Sequence, residues 1–350
     1  MTKYLFFLGN GFTIDFLKHM GKGSDVIDVL NLFAHGDTVR YPKDNEPGFL
    51  SYKYCKNLWN LGARPNMTYD ASIELIEALV TCANTASIIN RRFDTVYLQA
   101  YQELTTYLKY LFVEYNSRIT DDEINSQVAT WGWAILLKKL VNLPSTSKIT
   151  IITYNYDIWL ERVLIACGIN FELVGVKNGK YISGEDSKIQ IIKPHGSISF
   201  SYKEPIESDR FLLTSAERDQ IVVGKASDYT VNYDELEKIY IHNAMIPPAG
   251  DSLRIDSTDP ANDNWARLLR REAIAAAHEL DYVDEMYICG ISYWHVDRIE
   301  FDQILTSVKP KVKLRVVNPR PSNTFNAVLT GLFEAHITYN NSKVLGGIGR

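Results

Sequence analysis

Apolar residues change their spacing along the chain, and the change separates strands from helices. Residues 3–8, KYLFFL, form an apolar run ending at Gly9, and five β-branched residues, Ile149 to Thr153, follow the Pro144-Ser145-Thr146-Ser147 loop. Runs of this kind predict strands, the second apolar on both faces as a central parallel strand is. NFELVGV, Ile189–Ile192, EMYIC and a closing KVKLRVV predict further strands. Between the first two the period lengthens. DVIDVLNLF, ASIELIEALVTCA, TVYLQAYQELTTYLKYLFVEY and ATWGWAILLKKLVNL place apolar residues three and four apart, which predicts amphipathic helices. A Pro-, Gly- and Tyr-rich stretch at roughly 36–66 lacks any period and predicts a loop. DIWLERVLIACG, closed by Gly168, NWARLLRREAIAAAHEL and DRIEFDQILTSV predict helices in the second half. Residues 200–262 are mixed and polar, with a loop expected at Asp251 to Asn264.

Strands alternating with helices toward the C-terminal end predict an α/β fold built on a Rossmann-like, doubly wound parallel sheet. At 350 residues the chain exceeds one comfortable core. The expected division is a first strand and phosphate loop at 1–24, a large helical insertion at 25–145, and the remainder of the Rossmann-like domain at 146–350.

Composition narrows the class. Hydrophobic residues make up 46% and charged residues 23%, which suits a globular protein rather than a disordered one. A net charge of −5, from 37 basic and 42 acidic residues, argues against a broad nucleic-acid-binding surface. The four cysteines, Cys55, Cys82, Cys167 and Cys289, form no C-x-x-C pair, so neither a zinc ribbon nor a disulfide framework is indicated. The opening MTKYLFFLGN carries no signal-peptide cleavage pattern, and no apolar run has the ~18 residues of a membrane span. A cytoplasmic protein is expected.

Candidate chemistry gathers at strand ends: GNGFT after the first strand, TYNYD after the second, KPHGS after Ile192, GIS after EMYIC, and Asn318-Pro319 after KVKLRVV. In a parallel sheet these ends share one edge, where ligands of open α/β sheets bind. The Gly9–Thr13 turn between strand and helix can present backbone N–H groups to a phosphate, with Thr13 as cap or phosphate ligand. Taken singly each element has a plainer reading. Asp157 suits a helix N-cap, Asn155 a turn, a lone His195 a structural role, and Trp131 and Trp133 helix packing.

The ordered set resembles the sirtuin fold. Gly9-Asn10-Gly11-Phe12-Thr13 is similar to its G-A-G-x-S opening, Tyr154-Asn155-Tyr156-Asp157 to its T-x-N-x-D element, and Lys193 to Ser197 to its K-x-H-G-S element. Gly290-Ile291-Ser292 and Val317-Asn318-Pro319 resemble its later strand ends. GISYWHVDRIEFDQIL, with Asp297 and Phe301, looks like the SIR2-like branch of bacterial anti-phage proteins. The four-cysteine zinc module and the F-G-E acyl-lysine segment of the deacylases are absent; Met245-Ile246-Pro247-Pro248-Ala249 stands roughly at the latter. Asn10 replaces the usual alanine, and L-G-N-G-F is also similar to the AbiH-type abortive-infection proteins.

The resemblance implies an NAD+ hydrolase giving nicotinamide and ADP-ribose, an NAD-depleting effector in abortive infection. Asn155, His195 and Asp157 would be catalytic. Gly9, Asn10, Gly11, Phe12, Thr13, Gly290, Ser292 and Asn318 would hold the dinucleotide. His195 would act as base, Asn155 would orient ribose or water, and Asp157 would bond the nicotinamide carboxamide or fix its loop. NAD is then substrate, with no metal expected. A homo-oligomer is expected, with a ring ATPase or sensor as possible partner, no membrane, and nucleic acid not a direct ligand. The alternatives are a non-catalytic NAD or ADP-ribose sensor and, further off, a sirtuin-type deacylase. NAD and NADP are not distinguished.

Overall fold

In the computed structural model, which describes residues 1–88, 96–211, 213, 222–248, 263–293 and 297–348, seven strands form one all-parallel sheet. They are β1 (Thr2–Leu8), β2 (Thr146–Thr153), β3 (Phe171–Leu173), β4 (Ile189–Ile192), β8 (Glu285–Cys289), β9 (Lys313–Val317) and β10 (His336–Tyr339). Their order is β10-β9-β8-β1-β2-β4-β3. The chain leaves β1 toward β2 on one side and later returns to β8 on the other, so the crevice between β1 and β8 is the topological switch point. A second sheet is antiparallel and small, with β5 (Gly196–Tyr202) between β6 (Tyr229–Val231) and β7 (Asn243–Met245).

Helices cover both faces. The period-2 alternation of a strand sends Phe6 of β1 to one face, against Tyr287 and Trp133, and Phe7 to the other, against Tyr154 and Phe301. Trp133 belongs to α6 (Gly132–Asn142), and Phe301 to α9 (Arg298–Ser307). The remaining helices are α1 (Asn10–His19), α2 (Lys56–Asn60), α3 (Tyr69–Ile88), α4 (Val96–Ser117), α5 (Asp121–Gln127), α7 (Trp159–Ala166), α8 (Trp265–His278) and α10 (Asn323–Leu332). The segment between α1 and β2 thus holds α2 to α6. It is pinned to the sheet region through Asn10 Nδ2, which donates to the Val29 carbonyl, and to the small sheet through Asn243 Nδ2, which donates to Thr106 of α4.

Four expectations change. DVIDVLNLF is a run of turns, not a helix, because Asp28 Oδ1 accepts from the Leu30 and Asn31 N–H groups and competes with the helical pattern. The stretch at 36–66 contains the short α2. Residues 200–262 contribute two strands to the small sheet, whose three-residue length carries too little alternation to be read. β9 does not close the large sheet, since α10 and β10 follow it. His295 and most of the expected 251–264 loop lie outside the described residues.

Candidate active site at the carboxyl edge of the sheet

The turns after β1, β2, β4, β8, β9 and β10 line one cavity of about 1330 Å³. That exceeds the ~300–1,000 Å³ usual for drug-sized ligands. Of the residues singled out in the sequence, Gly9, Asn10, Gly11, Asn155, Asp157, His195, Gly290, Ser292 and Asn318 are on its wall. Phe12 and Thr13 are not. Phe12 is buried against Trp131 and Trp133, and Thr13 is buried beneath Asp157, to which its hydroxyl donates at 2.7 Å.

Glycine makes the crevice at the switch point. A Cβ on Gly11 would lie 2.4 Å from the Gly290 Cα, and one on Gly290 would lie 2.2 Å from the Gly11 Cα. Gly290 also has φ of +63°, where a side chain is strained. The close approach uses up donors that the sequence offered to a phosphate. The N–H groups of Gly9, Gly11 and Phe12 donate to the carbonyls of Cys289, Gly290 and Gly9. Asn10 Nδ2 is likewise committed, to Val29.

Asn155 links the second strand to this turn. Its Nδ2 donates to the Gly9 carbonyl at 3.1 Å and to Thr13 Oγ1 at 2.9 Å. A carbonyl only accepts, so the amide nitrogen must face Gly9 and the Oδ1 is the atom left for a ligand. Asp157 sits behind, with Oδ2 accepting from Thr13 and Oδ1 from the Trp159 N–H at the start of α7. Burial pushes its carboxyl up to about 6, against the pull of Lys193 and Thr13. Lys193 Nζ donates to the Asp157 carbonyl at 2.6 Å and to Glu161 at 2.9 Å, a buried pair that clamps the turn after β4 to the turn after β2.

His195 stands where the parallel sheet hands over to the small one. Gly196, which opens β5, has φ of +83° and would place a Cβ 1.8 Å from the Ala244 carbonyl oxygen, so only glycine fits beside the histidine. His195 Nε2 meets Glu300 Oε2 at 3.2 Å, and its ring packs edge-to-face against Tyr154 with the centroids 4.6 Å apart. Glu300 Oε1 accepts from Tyr154 Oη at 2.9 Å and from Arg270 Nε at 3.3 Å. His195, Glu300 and Arg270 are 4%, 3% and 6% exposed, so this charge cluster is almost fully buried, and of the three His195 is the one on the cavity wall. Burial alone would raise the Glu300 carboxyl, but Arg270, His195 and Tyr154 outweigh it and hold it at about 2. The glutamate is therefore ionised and accepts from Nε2–H, which leaves Nδ1 as the ring nitrogen able to take a proton.

Sequence reasoning passed over Glu300, Arg270 and Tyr154 as site residues. The signal was there for two of them. Glu300 shares the apolar stripe of α9 with Phe301, Ile304 and Leu305, and Arg270 shares that of α8 with Leu269, Ala273 and Ala277. A charge on a buried stripe demands a partner. Trp131, expected only to pack, also lines the cavity and donates from Nε1 to Asp15 at 2.9 Å. Among the described residues no group of three or more His, Cys, Asp or Glu is placed to hold a metal ion, and no helix is long and apolar enough to cross a membrane. Compared with known proteins, the sequence matches no family model and no curated protein.

Proposed function

We propose that the chain is an NAD+ glycohydrolase on a Rossmann-like, SIR2-type core, cleaving the bond between nicotinamide and ribose. The observation that carries the reading is the meeting of His195, oriented by an ionised Glu300, and the free Oδ1 of Asn155 on one cavity that also crosses the glycine crevice. A cavity lined by strand-end turns on both sides of the glycine crevice suits a dinucleotide lying across the switch point.

In the reaction the C1′–N bond breaks, its electron pair leaves with nicotinamide, and the ring becomes neutral. The ribose carbon carries the developing positive charge until a water oxygen bonds to it. Nδ1 of His195 takes the proton of that water, and Glu300 stabilises the imidazolium so formed. Asn155 Oδ1 accepts from a ribose hydroxyl or from the water and orients it. Asp157 acts through Thr13, holding Asn155 in place, and both its oxygens already have donors in the protein.

The test is incubation of the purified chain with NAD+, with nicotinamide and ADP-ribose followed separately. Equal amounts of the two products support the reading. A chain that binds NAD+ and releases neither is a sensor, not a hydrolase.

A further inference from the structure

The cavity has two ends of different chemistry. From His195, beyond β4, to the turns beyond β10 the sheet order β4-β2-β1-β8-β9-β10 makes five strand-to-strand steps, roughly 24 Å at ~4.8 Å each. The glycine crevice of β1 and β8 lies midway. A ligand whose reacting end is at His195 and whose centre crosses that crevice has its far end at the turns beyond β9 and β10.

Two cations stand there. Arg320 and Lys343 both line the cavity, and both are exposed. Each is carried on a fixed turn: the Arg320 N–H donates to Asn318 Oδ1 at 2.9 Å, and the Lys343 N–H to Asn341 Oδ1 at 3.0 Å. The turns are adjacent, because the Asn318 N–H donates to the Tyr339 carbonyl at 3.0 Å. Among the described residues neither side chain is in an ion pair, and neither turn contributes a carboxylate to the wall. The wall's carboxylates are Asp157 beyond β2, Asp297 before α9 and Asp15 on α1, and Asp15 Oδ2 is already engaged by Trp131 Nε1 at 2.9 Å. A site that selects an unphosphorylated ribose sets a carboxylate on the 2′-hydroxyl, whereas an arginine there accommodates a 2′-phosphate.

We propose that Arg320 and Lys343 form a phosphomonoester subsite, and that the dinucleotide bound best is the 2′-phosphorylated one, NADP+. This inference rests on the dinucleotide reading above. It is tested by calorimetric titration of the full chain with NADP+ and with NAD+ at one ionic strength. Wild type should bind NADP+ at least about tenfold more tightly, the scale of one charge-assisted hydrogen bond. The Arg320→Ala/Lys343→Ala variant should bring that ratio close to one, and Arg320→Glu should invert it. Both positions are exposed, so the variants should melt as wild type does. Equal wild-type affinities overturn the inference alone. So does an equal loss of both ligands in the double variant, which would assign the cations to the shared pyrophosphate. Binding of neither dinucleotide by the folded wild type overturns the dinucleotide reading, and this inference with it.

Discussion

His195 Nε2 lies 3.2 Å from Glu300 Oε2, with both side chains almost fully buried. The carboxylate comes from the first turn of α9 and the histidine from the end of β4, so two distant stretches of chain define one proton-handling pair. Glu300→Gln keeps the volume and removes the charge that steadies the imidazolium. We predict a fall in kcat of at least about tenfold, toward the 10²–10⁴-fold expected for loss of the base itself, with little change in dinucleotide affinity. Glu300→Asp should recover part of the rate. Steady-state kinetics on folded variants separate this positioning role from a purely structural one.

The two buried carboxylates should leave opposite marks on stability. Asp157 rises from its ordinary 3.8 to about 6, so between those values the folded state holds a proton that the unfolded state has lost. Stability then falls as pH rises across that window. Glu300 falls from its ordinary 4.5 to about 2; its contribution is complete above 4.5 and is lost as pH drops toward 2. Urea midpoints measured against pH should show Asp157→Asn flattening the slope between about 4 and 6. An unchanged slope in that variant would mean that Asp157 titrates normally.

Asn155 serves the fold as well as the ligand. Loss of its two hydrogen bonds to Gly9 and Thr13 should cost about 1–2 kcal/mol. Asn155→Ala should therefore lower the urea midpoint modestly and abolish turnover. Asn155→Asp, which cannot donate to the Gly9 carbonyl and adds a charge, should be less stable than the alanine variant.

The switch-point contact can be tested by comparing two glycines of similar backbone. Gly290 has φ of +63° and no room for a Cβ, while Gly168, after α7, has φ of +65° and open space. Gly168→Ala should cost about 1–2 kcal/mol from backbone strain alone. Gly290→Ala adds a steric term and should cost roughly 2–4 kcal/mol, with loss of ligand binding. Equal melting curves for the two would mean that the turns after β1 and β8 separate easily.

What the sequence made legible was the edge, and what it hid was the support behind it. β1, β2, β4, β8 and β9 announce themselves as apolar runs, and the polar turns after them converge because a parallel sheet must place them together. The partners of those turns come from helices far along the chain. Glu300 stands between Asp297 and Phe301, which the resemblance picked out, yet its meeting with His195 depends on how α9 crosses the sheet. Thr13 looked like a phosphate ligand because the turn chemistry allows it; the burial that gives its hydroxyl to Asp157 is a tertiary fact. β10 has only four residues, exposed at both central positions, and so carries little apolar signal. Its turn nevertheless supplies Lys343 to the cavity.

The most direct measurement is nicotinamide release from NAD+ and NADP+ by wild type beside His195→Ala, with binding of each ligand measured on both proteins. The account predicts release by wild type, a fall of roughly 10²–10⁴-fold in the variant, and retained binding. A wild-type chain that binds dinucleotide but releases no nicotinamide, or a folded His195→Ala variant that keeps the wild-type rate, would contradict it.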